Sequence, residues 1–170
     1  MKVVWVVLAT ALALALQTTL ARVLIRGTVA VDLVLVVVVY AALAGGPVAG
    51  LLTGTFAGLV QDALSSGLIG VGGLAKTVVG FLAGVVGTQF IVAQSIPRFV
   101  VFFGATLVHA VVFIGLYVLL NLRPFGAPYE AVLGQAVGNA IVGVLAFHLI
   151  ESLPGAMERR RTARGGRLRR

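Results

Sequence analysis

Residues 45–62 read GGPVAGLLTGTFAGLVQD, and the only charge in the stretch is its last residue, Asp62. Glycines recur every four residues at Gly46, Gly50, Gly54 and Gly58. That period places them along one face of a helix, where missing side chains let a second backbone approach closely. Lipid supplies little hydrophobic force between helices, so the face reads as a surface for helix packing or for binding a partner. The stretch is the second half of an uncharged run from Leu33 to Gln61. Such a run is too long for one helix to cross a hydrocarbon layer of about 30 Å. Pro47 lacks an amide donor and clashes with a preceding turn, so it divides the run into a hairpin of two helices.

Working outward, the other uncharged runs are Val3–Ala21, Thr77–Pro97, Phe99–Leu122 and Ala131–Ile150. Each fits one span of about 20 residues. The expected spans are 3–21, 29–44, 48–61, 74–93, 99–120 and 131–150. Composition agrees: 60% of residues are hydrophobic, 11% are charged and the mean hydropathy is +1.12. A soluble chain has about a quarter of its residues charged, so this one lacks a polar skin and must face lipid. Open sheets cannot cross lipid, and the two-residue alternation of barrel strands is missing. The expected fold is therefore an all-α polytopic membrane bundle of about six transmembrane helices. It forms one domain over 1–155, with a basic, unstructured tail over 156–170. Met1-Lys2 and the apolar run after them resemble a signal peptide, but the run is longer than a usual signal core and reads as the first span.

Basic residues set the orientation. The tail carries Arg159, Arg160, Arg161, Arg164, Arg167, Arg169 and Arg170. The positive-inside rule puts it in the cytoplasm, and six spans return the amino terminus to the same side. Lys2 and Arg98 agree; Arg22, Arg26, Lys76 and Arg123 oppose, and the tail outweighs them. These arginines read as a topology anchor attracted to anionic lipid headgroups. The net charge of +8 raises nucleic acid as a partner. No nucleic-acid fold and no interleaved aromatics accompany it, so none is expected.

Little material for catalysis is present. The chain has no cysteine, which removes thiolate chemistry and sulfur-ligated metals. His109 and His148 stand alone on separate spans and read as hydrogen-bonding partners of neighbouring helices. The five acids, Asp32, Asp62, Glu130, Glu151 and Glu158, form no close pair for general acid–base work. No enzyme activity, metal or cofactor is expected. Asp62 and Ser65 are read either as organisers of the following turn, accepting bonds from its backbone donors, or as contacts for a partner or ligand, with Lys76 a candidate ion-pair partner for Asp62. Asp32 is read either as the cap of the second helix or as a contact for a partner.

The stretch from Val31 to Gly84 closely resembles the rod shape-determining protein MreD family. The resemblance lies in Asp32, the Gly46-Pro47 hairpin, the glycines from Gly50 to Gly58, Gln61-Asp62, Ser65, Gly67 and the glycine-rich segment Lys76–Gly84. It extends loosely over residues 1–155 through length and hydropathy. It implies a non-enzymatic component of the bacterial cell-elongation machinery, in the cytoplasmic membrane. It further implies direct binding to the single-span protein MreC. Through MreC, the actin-like filament MreB, RodA and a class B penicillin-binding protein would join the same complex. The family is also similar in fold to the S components of energy-coupling-factor vitamin transporters, which offers a transport reading. Ala9 with Ala13 and Ala11 with Ala15, spaced by four on the first span, suit docking to another helix. Against transport, the outer loops hold few polar or aromatic groups to recognise a vitamin. A channel would need a polar stripe along a helix, and none is visible.

Overall fold

The computed structural model describes residues 2–23, 31–65, 68–90, 92, 94–121 and 129–167. The chain folds into six helices with no strand among the described residues. They are α1 (Lys2–Val23), α2 (Leu33–Gly45), α3 (Pro47–Leu64), α4 (Val71–Gln89), α5 (Ser95–Leu119) and α6 (Tyr129–Arg167). Val71–Gln89, Ser95–Leu119 and Tyr129–Ser152 are each long and apolar enough to cross a membrane. Val4–Thr19 and Leu33–Gly45 are shorter apolar stretches.

α2 is the centre. It is apolar all round, with Val34, Leu35, Val36, Val38, Val39, Ala41 and Ala42 buried, as expected for a helix enclosed by others. One side packs with Val79 and Ala83 of α4, Phe102 of α5 and Ala140 of α6. The other meets Ala13 and Leu14 of α1 and Ala57 of α3. α1 lies outermost and leaves Trp5, Leu8, Leu12 and Leu16 exposed. Those residues would face lipid.

Between α2 and α3 the chain turns in one residue. Gly46 has φ +85°, a left-handed conformation that glycine adopts without steric cost, and its N–H bonds the Ala42 carbonyl at 2.8 Å. Pro47 then opens α3 at a position where no amide donor is needed.

The closest backbone approach is between α3 and α4. A Cβ on Gly50 would collide with the Gly80 carbonyl, one on Gly54 with the Lys76 carbonyl, and one on Gly58 with Gly73 Cα. In return, Gly84 lies against Gly46 and Pro47. Thr55 Oγ1 and Thr77 Oγ1 hydrogen-bond across the same seam at 2.8 Å. The glycine face seen in the sequence is thus filled by the next helix of the same chain.

At its far end the structure departs from the sequence reading. α6 continues to Arg167, so the basic segment, expected as an irregular tail, is helical to that point. Composition accounts for part of this, since Ala156, Met157, Glu158, Arg159 and Ala163 are all good helix formers. The arginine side chains from Arg159 to Arg170 lie outside the described residues, as do Arg26 and Arg123.

Candidate functional site

Asp32 precedes the first residue of α2, and its Oδ1 accepts the Leu35 N–H at 3.0 Å. This is the capping role foreseen for it. Its other oxygen meets Lys76 Nζ at 2.9 Å, in an ion pair whose side chains are 6% and 4% exposed, respectively. The sequence suggested Asp62 as the partner of Lys76; the pair instead forms with Asp32. The reason is geometric. Lys76 lies in the second turn of α4, which brings it beside the start of the central helix, while Asp62 is consumed elsewhere.

The length of α2 explains why a buried pair is needed. Its 13 residues rise roughly 20 Å, against a hydrocarbon layer of about 30 Å. Asp32, at the start of this short helix, is enclosed by the bundle and only 4% exposed. A lone carboxylate there would be costly, and Lys76 supplies the countercharge.

More polar groups converge on this pair. Lys76 Nζ lies 3.3 Å from His109 Nε2 on α5. An ammonium can only donate, so Nε2 is the acceptor and the ring proton sits on Nδ1. The Asp32 N–H donates to Asn139 Oδ1 on α6 at 2.8 Å. Asn139 Nδ2 donates to Thr106 Oγ1 at 3.1 Å, which in turn donates to the Phe102 carbonyl at 2.9 Å. Asn139 and Thr106 are each 1% exposed. Four helices are thereby tied through one connected network.

Asp62 organises the neighbouring loop. Its Oδ2 accepts the N–H groups of Gly70 and Gly73, at 2.8 and 3.0 Å, as the sequence led us to expect. Gly70, with φ +108°, supplies the left-handed residue that starts α4. A Cβ on Gly72 would overlap Asp62 Oδ1, so the carboxylate can seat only against glycine. Ser65 sits at the end of α3, and residues 66 and 67, the start of the turn that its oxygen was expected to accept from, lie outside the described residues. Its hydroxyl donates back to the Gln61 carbonyl at 2.8 Å.

Above the ion pair is a half-open pocket of about 340 Å³. Every helix or its cap contributes to the wall: Gln17, Asp32, Gln61, Lys76, His109 and Gln135. Asp62, Phe113 and Tyr117 complete much of the remainder. The side-chain oxygens of Gln17 and Gln61 are buried and have no hydrogen-bond partner among the described residues. Gln17, Gln135, Asn139 and Thr106 carry neither a charge nor a glycine period, so the sequence alone does not single them out. One signal is present: Gln135 and Asn139 are amides spaced by four on a span whose only other strongly polar residue is His148.

A second polar group lies at the opposite end. Arg98, 4% exposed, makes a two-pronged pair with Glu151, with Nη1 to Oε2 at 2.9 Å. It also donates to the Val92 carbonyl at 3.2 Å and stacks 4.3 Å from the Phe147 ring centre. His148 Nε2 and Ser95 Oγ are 2.9 Å apart. Both histidines therefore bond to a neighbouring helix. Among the described residues no group of three or more His, Cys, Asp or Glu side chains could hold a metal ion.

No curated protein and no solved structure matches the chain. The family model described as rod shape-determining protein MreD matches residues 1–151, which takes in all six helices up to the basic extension of α6. With that match spanning the whole bundle, the chain belongs to the MreD family and is a rod shape-determining membrane protein.

Proposed function

We propose that this protein is a non-catalytic docking body of the cell-elongation machinery, lying in the bacterial cytoplasmic membrane with both termini inside. It receives the transmembrane helix of MreC, and through MreC it is linked to MreB, RodA and a class B penicillin-binding protein. The observation that carries the reading is the family match over the full helical bundle. The internal chemistry supports it, since the buried charges are paired with one another and serve to fix the helices.

α4 packs on the glycine stripe at Gly50, Gly54 and Gly58, which favours a different face for docking. We place docking on α1, which packs chiefly on α2. There Ala13 is buried against the bundle, while Ala11 and Ala15 are exposed and leave a shallow, small-residue strip. A helix can approach such a strip closely. The test is co-purification of the cognate MreC with tagged protein from detergent, using Ala11→Trp and Ala15→Trp. Loss of MreC from protein that remains monodisperse is expected. Undiminished recovery of MreC with both variants would remove α1 as the docking face. Depletion of the protein should turn rods into spheres, and cells that kept their shape would remove the elongation role itself.

The pocket gives a second reading some footing. The outer loops are poor in recognition groups, but the helices place amides and aromatics around a cavity, as a substrate-binding component requires. Thermal-shift screening against vitamins tests it, and stabilisation by one of them would favour transport.

A further inference from the structure

We propose that the pocket binds an uncharged, hydroxyl-rich molecule of about monosaccharide size. Three observations lead to this class of ligand. First, Gln17 Oε1 and Gln61 Oε1 are buried acceptors without a donor among the described residues, and both residues line the pocket. Buried polar atoms are nearly always satisfied, so two orphans on one cavity point to something that donates to them. Gln135 adds a third amide to the wall. An amide presents both a donor and an acceptor, which suits a hydroxyl that does the same.

Second, the wall carries both signs of charge. Lys76 is held by Asp32 and His109, and Asp62 by two backbone N–H groups. A cationic ligand would lie against the ammonium, and an anionic one against the Asp62 carboxylate. A neutral ligand meets neither penalty.

Third, α5 lines the pocket with the aromatic side chains His109, Phe113 and Tyr117. His109 and Phe113 stack with ring centres 5.8 Å apart, and Phe113 and Tyr117 follow at 4.8 Å. A sugar ring is a disc with an apolar C–H face and a hydroxyl rim. Its apolar face would pack against these side chains and its rim would reach the amides. The volume, about 340 Å³, is at the small end for ligand sites and suits a single ring.

The ligand is either a free sugar or the headgroup of a glycolipid, and the test separates these sources. Full-length protein in nanodiscs is titrated with methyl β-glucoside, followed by saturation-transfer NMR. In parallel, glucosyl diacylglycerol is included in the nanodisc lipid, and retained lipid is read by native mass spectrometry. Binding of the soluble glucoside assigns a free sugar; retention of the glycolipid alone assigns a headgroup. In either case Gln61→Leu and Gln17→Leu should weaken binding at least tenfold, while Gln89→Leu, at an exposed site ending α4, should not.

Should a pocket variant fail to fold, the wild type still decides. Side-chain amide signals of ¹⁵N-labelled glutamine must shift when the glucoside is added. The inference is overturned if neither probe binds, if the glutamine variants bind as wild type does, or if choline displaces the glucoside as the better ligand. It does not rest on the elongation role, and a negative result with glucosides would leave MreC recovery and cell shape unaffected.

Discussion

Lys76 and Asp32 show at the residue scale how a charge is tolerated inside an apolar bundle. Removing one member leaves the other buried and unpaired, which costs on the order of 3–5 kcal/mol. Lys76→Met is therefore expected to lower the thermal midpoint in detergent sharply. Asp32→Asn should do less harm, because an amide oxygen still caps α2 and Lys76 keeps His109 as an acceptor. The double variant should be more stable than the sum of the single losses predicts, and strict additivity would show that the pair is not coupled. At the other end Arg98 is shielded, whereas the Glu151 side chain is 52% exposed. Arg98→Ala forfeits the ring stack and the Val92 bond as well as the carboxylate, so it should destabilise more than Glu151→Gln. Equal midpoints for the two variants would contradict this account.

Glycines make the same distinction at the level of the helix. Gly54 faces the α4 backbone, whereas nothing lies within 4 Å of a Cβ built on Gly104. Gly54→Ala must therefore push α3 away from α4, and loss of folded protein on size exclusion is expected. Gly104→Ala should be neutral or stabilising, by up to about 0.5–1 kcal/mol from helix propensity. Similar midpoints would mean the seam is looser than its geometry. The seam was legible in the sequence because a four-residue period is a property of one helix, visible without knowing its partner. The partner was not legible, since the same stripe serves an internal or an external helix equally well. Lys76 was misassigned for a related reason. Asp62 is nearer to it in sequence, but only the docking of α4 against α2 decides which carboxylate it meets. The pocket was invisible because its amides come from α1, α3 and α6 and become a site only when the bundle closes.

Across the whole molecule, the two polar clusters mark opposite ends. Asp32, Lys76, His109 and the loop at residues 68–70 share one end, and Arg98, Glu151 and the basic extension of α6 share the other. Because arginine-rich segments stay on the cytoplasmic side, the first end should face outward. The chain lacks cysteine, so single introduced thiols report position without background. Ile69 is 70% exposed in the loop before α4, and Gln94 is exposed just before α5. Neither makes a hydrogen bond through its side chain among the described contacts, so Cys is a mild replacement at both. A membrane-impermeant maleimide applied to intact cells is expected to label Ile69→Cys and to label Gln94→Cys only after the membrane is opened. Labelling in the reverse order would place the pocket on the cytoplasmic side. A pocket there would meet soluble metabolites, while one facing outward would meet envelope glycans and the outer-leaflet headgroups.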